Sequence, residues 1–169
     1  MKRGEPVKTL AVVLRRASAH DCDQLASMNL ELIRDEGSRN PMTQIELSER
    51  MRRWLKNGWD ALLIVVNKAV VGYILYQIRP DEYYPEQRDV YVRQYFIKRP
   101  FRSKGIGQKA FQQIQADYFP PDAALVVDVL ATNPGARRFW EKLGFASYAE
   151  NLRLEKRGSS DGSHPPTAD

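Results

Sequence analysis

The segment from Asp89 to Gly107 reads DVYVRQYFIKRPFRSKGIG and contains the most informative transition in the chain. β-Branched and aromatic residues dominate residues 89–97, which predicts a strand, and Pro100 ends it because proline supplies no N–H to a sheet. Apolar residues then recur at helical spacing, at Ile106, Ala110, Phe111, Ile114 and Tyr118. The sequence therefore predicts a strand, a short basic loop with two glycines, and a helix.

The loop between this strand and helix has the composition of an anion-binding turn. The first turn of a helix leaves backbone N–H groups unpaired and carries the positive end of the helix dipole. Gly105 and Gly107 would let a diphosphate approach those groups closely, and Arg102 and Lys104 add positive charge beside them. A glycine-containing turn on a basic surface has the same local pattern, so the loop alone leaves both interpretations open.

A second strand-to-helix segment lies downstream, where residues 133–145 read NPGARRFWEKLGF. It follows an apolar run from Leu125 to Leu130 that predicts a buried strand. The apolar residues of the segment fall on one face of the predicted helix, namely Ala136, Phe139, Trp140 and Leu143. Gly144 then ends the helix, because glycine readily adopts the backbone conformation of a C-terminal cap.

Together the two segments resemble the GNAT superfamily of acyl-CoA-dependent N-acetyltransferases. The pyrophosphate-loop pattern of that family, R/Q-x-x-G-x-G/A, is similar to RSKGIG at residues 102–107. The second family signature, N-x-x-A-x-x-F-Y-E-K-x-G-F, resembles residues 133–145, with Trp140 where the family usually has tyrosine. The resemblance is most specific from Tyr91 to Phe145 and extends more weakly over residues 10–154.

The resemblance implies an α/β (α+β) fold with a mixed, strongly twisted β-sheet, helices on both faces and the order β-α-α-β-β-β-α-β-α-β. In that fold two neighbouring strands splay apart, and the pantetheine arm of the cofactor enters the gap between them. Here those strands are residues 89–97 and 125–130. The last element of the order is a closing strand, which we expect from Phe145 to Lys156.

Local patterns in the first half of the chain agree with this order. Apolar periodicity predicts a helix from Asp21 to Glu36, and Thr43 with Glu46 forms a capping-box signal for a second helix. Two apolar runs on either side of residues 67–68 then predict a β-hairpin.

Length and composition favour one domain. The 169 residues are 43% hydrophobic, and we expect a single domain over residues 1–156 followed by a disordered tail over residues 157–169. The longest apolar runs fall far short of the roughly 20 residues that a membrane helix needs, so we predict a cytoplasmic protein with no membrane partner.

The net charge of +5 raises the question of a nucleic-acid partner. Part of the positive charge is grouped at the predicted phosphate loop and on the second helix, at Lys98, Arg99, Arg102, Lys104, Arg137, Arg138 and Lys142. A small phosphate-rich cofactor accounts for that group, and no zinc-ligand spacing, helix-turn-helix pattern or basic–aromatic stripe accompanies it. We therefore predict no nucleic-acid partner and no metal site. A homodimer is expected only by analogy with families that share the fold.

The resemblance implies acetyl-CoA as the cofactor and places its contacts position by position. Backbone groups of Tyr95 and Ile97, on either side of Phe96, would polarise the acyl carbonyl and hold the pantetheine amides. Asn133 would meet the pantetheine arm near its acyl end. The pyrophosphate would be held by the side chain of Arg102 and by backbone N–H groups of Ser103, Lys104, Gly105, Ile106 and Gly107.

Two positions depart from the family pattern and leave the catalytic acid and base open. Trp140 replaces the tyrosine that often protonates the leaving thiolate, and indole is not an acid at neutral pH. Either the thiolate leaves without direct protonation, or Tyr95 or Tyr148 acts through water. Tyr91 aligns with the glutamate base that family members often carry on this strand. Asp89 is the nearest acid and the candidate base through water, although an acid at the start of a strand is more often a solvated edge residue.

The resemblance implies a primary amine as the acceptor, but nothing in the sequence identifies it. Acidic and aromatic residues near the first two helices and before the central strand offer a mouth for a cationic amine: Asp35, Glu36, Asp81, Glu82, Tyr83, Tyr84 and Glu86. A solvated loop explains the same composition. The sequence thus favours an acyl-CoA-dependent N-acetyltransferase, with a non-catalytic acyl-CoA-binding module as the alternative and a nucleic-acid-binding domain third.

Overall fold

The computed structural model describes residues 10–155 of the chain. Its five strands are β1 Val12–Arg16, β2 Asp60–Val66, β3 Ala69–Pro80, β4 Arg88–Ile97 and β5 Ala124–Val127. They form one sheet in the order β1-β2-β3-β4-β5, antiparallel throughout except for the parallel pair of β4 and β5. The predicted mixed sheet is confirmed. The disordered tail expected over residues 157–169 lies outside the described residues.

Four α-helices cover the two faces of this sheet. They are α1 Cys22–Asp35, α2 Gln44–Lys56, α3 Ile106–Tyr118 and α4 Pro134–Lys142, and short 3-10 turns occupy Ala19–Asp21 and Arg99–Phe101. Alternate residues of β2 point to opposite faces of the sheet. Leu63 packs with Leu25 of α1 and Met51 of α2 on one face. Leu62 belongs to the core on the other face, with Phe111 of α3 and Trp140 of α4. Helices on both faces are therefore confirmed.

Local sequence signals account for several element boundaries. Thr43 caps α2 as predicted, since its hydroxyl accepts from the Glu46 N–H and the Glu46 carboxylate accepts from the Thr43 N–H. The β2–β3 hairpin closes with the pair Val66 and Ala69, and both intervening residues, Asn67 and Lys68, have positive φ, as two-residue hairpin turns require.

The strands β3 and β4 come unusually close at the end that leads to the phosphate loop. Gly72 lies opposite Ile97, and a Cβ atom at Gly72 would stand 2.2 Å from the backbone oxygen of Phe96. Further along, the register of this pair shifts between Leu75 and Tyr76, which leaves Arg93 as an extra residue in β4. Glycine is thus required for the close approach, and the bulge turns the end of β4 relative to its start.

The closing strand expected from Phe145 to Lys156 is wrong over the described part, because residues 145–155 form no strand. The apolar side chains of this segment find no core, since Tyr148, Leu152 and Leu154 are 94%, 90% and 95% exposed. The segment's alternation is weak, and backbone pairing needs a buried face to fix it. Within residues 10–155 the outer edge of β5 therefore has no neighbour, and β5 ends at Val127 rather than at Leu130.

Candidate active site

The loop between β4 and α3 presents an open helix N-terminus. Ser103 and Gly105 both have positive φ, at 59° and 75°, and Gly105 is the residue that precedes the first turn of α3. A Cβ atom at Gly105 would meet nothing within 4 Å. The N–H groups of the first helical turn have no acceptor inside the helix. The backbone here can therefore receive an anion.

The other residues of this loop differ in what they leave accessible. Lys104 is exposed, whereas the side chain of Ile106 is buried in the core. Gly107 lies in the first turn, where a Cβ atom would come 3.4 Å from Phe139 and 3.5 Å from Ile97. Only backbone groups of Ile106 and Gly107 are thus available to a ligand, while Lys104 can contribute charge.

Arg102 does not point to the N-terminus of α3. Its Nε donates to the backbone oxygen of Ile97 at 2.6 Å, its terminal nitrogen pairs with Asp35 at the end of α1, and its guanidinium lies over the ring of Phe96. Burial opposes ionisation of Asp35, but hydrogen bonds from Arg99 and Arg102 outweigh it and lower the pKa of that carboxyl. The arginine expected to hold a pyrophosphate is thus occupied by this ion pair in the structure.

The parallel strands β4 and β5 separate after a short contact. They pair only from Asp89 to Val92 of β4, although β4 continues to Ile97 against β3. Beyond Val92 one side of β4 therefore carries backbone N–H and C=O groups without a strand partner. We call this opening the β4–β5 cleft.

The backbone pattern shows which groups face the β4–β5 cleft. The N–H of Lys98 donates to Val71 of β3, so the backbone of Lys98 faces β3. Successive residues of a strand alternate in this respect, so Phe96 also faces β3, while Tyr95 and Ile97 face the cleft. In agreement, the Ile97 oxygen is free of β3 and accepts from Arg102. The structure thus turns the two backbone positions inferred from the sequence toward the opening.

The β4–β5 cleft is narrow, with a volume of about 50 Å³. Its polar and aromatic lining includes Glu36, Arg93, Gln94, Asp128, Asn133 and Trp140. The Asn133 oxygen caps α4 by accepting from the N–H of Ala136 at 3.0 Å, which leaves its amide NH₂ for a ligand. The predicted position of Asn133 at the cleft therefore agrees with the geometry.

Two predicted side chains lie in the core rather than in the cleft. The Tyr95 hydroxyl donates to the backbone oxygen of Gly107 at 2.6 Å, its ring packs against Phe139 and Trp140, and burial raises the pKa of Tyr95 well above its ordinary value. Phe96 is 2% exposed and contacts Tyr73 on the opposite face. Tyr95 as an acid thus has little geometric support. Tyr95 turns its backbone toward the cleft, whereas the backbone of Phe96 faces β3.

The two acids nearest the central strand occupy different places. Asp89 pairs along the backbone with Arg79 of β3 and Ala124 of β5, in the part of β4 where the sheet is closed. Asp128, which follows β5, lines the cleft and accepts a hydrogen bond from the Tyr91 hydroxyl at 2.6 Å. Asp89 is therefore not brought to the cleft, whereas Asp128 is.

Glu36, just after α1, is the carboxylate that sequence reasoning placed only in a general acidic mouth. It lines the β4–β5 cleft and is half-buried, and desolvation raises the pKa of its carboxyl. The backbone oxygen of Glu36 accepts from the hydroxyl of Thr132, 96 positions later, at 2.6 Å, which fixes the end of α1 against the loop after β5. No local motif could have revealed this contact. The acidic and aromatic residues of the loop after β3, which were also expected at the acceptor mouth, do not line the cleft. In that loop the Asp81 carboxylate accepts hydrogen bonds from the N–H groups of Tyr83 and Tyr84.

A mixed sheet whose parallel neighbours separate beside an open helix N-terminus is the arrangement of an α/β protein with a place for an anion next to the gap. The chain belongs to the acetyltransferase (GNAT) family, whose model matches residues 28–145. Members of this family use acetyl-CoA for acyl transfer, and the chain is an acetyltransferase of this class. A comparison with curated proteins gives no significant match.

Solved structures show the same fold. A possible acetyltransferase from Clostridium difficile 630 superposes with a TM-score of 0.70 at 18% identity, over 86% of this chain and 97% of the other. A ribosomal-protein-alanine N-acetyltransferase from Brucella melitensis biovar Abortus 2308 gives 0.67 at 19% identity, over 86% and 99%. A predicted acetyltransferase with acetyl-CoA from Clostridium acetobutylicum gives 0.68 at 16% identity, over 86% and 96%. Within residues 10–155 no helix is both long and apolar enough to cross a membrane.

Proposed function

We propose that the protein transfers the acetyl group of acetyl-CoA to a primary amine that enters the β4–β5 cleft from the side of α1 and α2. The observation that carries the proposal is the separation of β4 from β5 directly beside the open N-terminus of α3. Acetyl-CoA would supply the activated thioester. Residues of this chain would bind and orient the two substrates and accept the proton of the amine.

The residues present fit this cofactor. Backbone N–H groups from Ser103 to Gly107 would hold the diphosphate, because positive φ at Ser103 and Gly105 keeps that turn open. Lys104 would add charge at the same place. Backbone groups of Tyr95 and Ile97 would orient the pantetheine arm and the acyl carbonyl, with the free amide group of Asn133 beside them. The β4–β5 cleft, with a volume of about 50 Å³, would have to widen for the pantetheine arm to enter. Arg102 would join these contacts only by leaving Asp35.

Glu36 is the general base that the geometry supports best. A protonated amine has no lone pair for attack, so a group in the cleft must accept its proton before the neutral nitrogen attacks the thioester carbon. Glu36 lines the cleft, and its raised pKa makes it a stronger base than an exposed carboxylate. Asp128, whose oxygen is engaged by Tyr91, is the alternative. Because Trp140 cannot act as an acid, the departing thiolate would take its proton from water.

A melting experiment tests the cofactor site. Acetyl-CoA at a hundred times its Kd should stabilise the protein by about 2.7 kcal/mol, which corresponds to a rise in Tm of about 5–10 °C. Gly105→Glu places a negative side chain where the diphosphate would lie, so the rise should disappear. Gly144→Glu is the matched control, because Gly144 also has positive φ and open space around its Cβ position. A Tm rise that persists in Gly105→Glu would contradict the proposed site.

A second experiment separates an enzyme from a non-catalytic acyl-CoA-binding module. Release of free thiol is followed while the protein and acetyl-CoA are presented with a panel of primary amines. An enzyme releases thiol in an amine-dependent way, at a rate that falls in Glu36→Gln. A protein whose Tm rises with acetyl-CoA but which consumes it with no amine of the panel would instead fit the binding module.

A further inference from the structure

A partly buried arginine without an acidic partner contacts the same tryptophan ring as Arg93, a residue that lines the β4–β5 cleft. Arg50 of α2 is half-buried, and one of its terminal nitrogens donates to the side-chain oxygen of Asn29 at 2.9 Å. Its Nε is buried and has no hydrogen-bond partner among residues 10–155. An unsatisfied buried donor on a charged group is costly, and native proteins rarely keep one without a reason. The structure therefore leaves part of the hydrogen-bonding capacity of Arg50 free.

A second arginine without an acidic partner lies next to the first. Arg93 occupies the bulge of β4, and its guanidinium stands 4.9 Å from the ring centre of Trp54, while that of Arg50 stands 4.5 Å from the same ring. Neither arginine forms an ion pair within the described part of the chain. Burial, and then the nearby charge of Arg93, lower the pKa of the Arg50 guanidinium. Two positive charges that contact the same indole ring, with the Arg50 side chain partly buried and the Arg93 side chain exposed, favour an anion beside them.

This arginine pair is connected to the cleft. Arg93 itself lines the opening, and Gln94 beside it accepts a hydrogen bond from the Tyr73 hydroxyl at 2.9 Å. Glu36 lines the same opening. A molecule held there thus meets the Glu36 carboxylate at one point and the Arg93 guanidinium at another, and Arg50 lies against the same Trp54 ring as Arg93.

We propose that the acceptor is an amine that also carries a carboxylate, with the amine directed to Glu36 and the carboxylate bound by Arg50 and Arg93. The guanidinium fork matches the two oxygens of a carboxylate. The unpaired Nε of Arg50 is buried, so the Arg50 side chain would turn toward the cleft to supply it as one of the donors. A phosphate would bring more negative charge into a cleft that Glu36 and Asp128 already line, so a carboxylate is favoured over a phosphate. This inference rests on the proposed amine acetylation.

The test compares matched amines. Glycine, β-alanine and γ-aminobutyrate vary the spacing between amine and carboxylate, while the primary amide of each removes the charge and retains the amine. Ethanolamine phosphate provides the phosphate. Wild-type protein should acetylate one of the amino acids with a kcat/KM about 10- to 100-fold above that of its amide. The amide has the lower amine pKa, so a larger fraction of it is the neutral nucleophile. A preference for the amino acid would therefore have to come from its carboxylate.

Arginine variants assign the preference to the proposed residues. Arg50→Met and Arg93→Met should each raise KM for the preferred amino acid about tenfold or more, while kcat/KM for its amide changes little. Arg53→Met is the matched control, because Arg53 is an exposed arginine of the same helix. The Tm rise with acetyl-CoA should be preserved in all three variants, which shows that they fold and bind the cofactor.

The possible results distinguish a failure of the carboxylate site from a failure of the proposed amine acetylation. Turnover of amino acids and their amides with equal efficiency, or better turnover of ethanolamine phosphate, would overturn the carboxylate assignment and leave amine acetylation standing. A protein that binds acetyl-CoA but acetylates none of the amines fails as the proposed enzyme. In that case the Tm of the CoA-saturated protein decides. A rise in Tm with the amino acids that is absent with their amides and lost in Arg50→Met supports the carboxylate site. The absence of such a rise refutes the carboxylate site.

Discussion

At the scale of single residues, the proposed role of Glu36 as a base would oppose the stability of the fold. Desolvation raises its pKa, so the folded protein holds a proton that the unfolded chain releases. The free energy of unfolding therefore falls as pH rises from about 4.5, the ordinary pKa of glutamic acid, through the raised pKa of the folded state. Above that window the ionised group is a fixed cost. We regard this cost as the consequence of placing a base in the cleft.

Glu36→Gln should therefore remove activity and increase stability together. We expect kcat to fall by a factor of about 100 or more, because glutamine accepts no proton, and Tm at neutral pH to rise above that of wild type. The gain in Tm should vanish at acidic pH, where Glu36 is protonated in wild type. Melting curves from acidic to neutral pH and an amine-dependent thiol assay measure both effects. Unchanged kcat, with Tm unchanged at every pH, would remove Glu36 from the mechanism.

Arg102 and Lys104 should separate stability from cofactor binding. Arg102→Met breaks the contacts with Asp35 and the Ile97 oxygen, so Tm without ligand should fall by about 2–4 °C for a loss of about 1 kcal/mol. Its acetyl-CoA-induced rise should remain. Lys104→Met should leave the Tm of the ligand-free protein unchanged, because Lys104 is exposed beside the loop. It should reduce the rise in Tm with acetyl-CoA, and the reduction should be larger at low salt.

The opposite result for Arg102 would also be informative. If Arg102→Met melts like wild type but its Tm does not rise with acetyl-CoA, Arg102 leaves Asp35 when the diphosphate binds. That outcome would restore the assignment based on the sequence motif.

At the scale of secondary-structure elements, the approach of β3 to β4 depends on Gly72. A Cβ atom there would overlap the Phe96 oxygen, which belongs to a paired strand and cannot rotate away. We expect Gly72→Ala to cost about 2–3 kcal/mol and to lower Tm by about 4–10 °C. Gly135→Ala is the control, since its Cβ would come no closer than 3.7 Å to another atom and should leave Tm near wild type. A Gly72→Ala protein that melts like wild type would show that β3 and β4 can separate at no cost.

The elements themselves were predictable where their signals are local. The Thr43 cap needs only Glu46 three residues later, and the hairpin turn at Asn67 and Lys68 needs only its flanking strands. The phosphate loop likewise carries its glycines and its helix within a few residues. The closing strand was not predictable, because a strand needs a partner and a buried face that Leu152 and Leu154 do not find.

The candidate site was predictable only in its backbone. The family resemblance implied the backbone positions of Tyr95 and Ile97, and the pairing of β4 with β3 turns both toward the cleft. The pairing of Arg102 with Asp35 joins residues 67 positions apart, and no spacing rule reports it. The place of Glu36 in the cleft depends in the same way on distant parts of the chain that meet only on folding. Side-chain roles therefore required the structure.

At the scale of the whole molecule, the end of α1 connects both sides of the cleft. Asp35 pairs with Arg99 and Arg102, which follow β4, while the Glu36 oxygen accepts from Thr132, which follows β5. A ligand that holds the two loops together should also restrain the end of α1. The structure thus connects the two loops beside the cleft to the end of α1, where the proposed base lies.

Amide hydrogen exchange measures this coupling. Acetyl-CoA should slow exchange in residues 103–107, where it would bind, and also in residues 32–37, with no change in β1 and β2. Thr132→Val preserves the side-chain shape and removes the donor to Glu36, so it should abolish the ligand-dependent protection of residues 32–37 while residues 103–107 stay protected. If both segments remain protected in Thr132→Val, the coupling runs through Asp35 and its arginines instead. Protection confined to residues 103–107 in wild type would mean that cofactor binding does not restrain the end of α1.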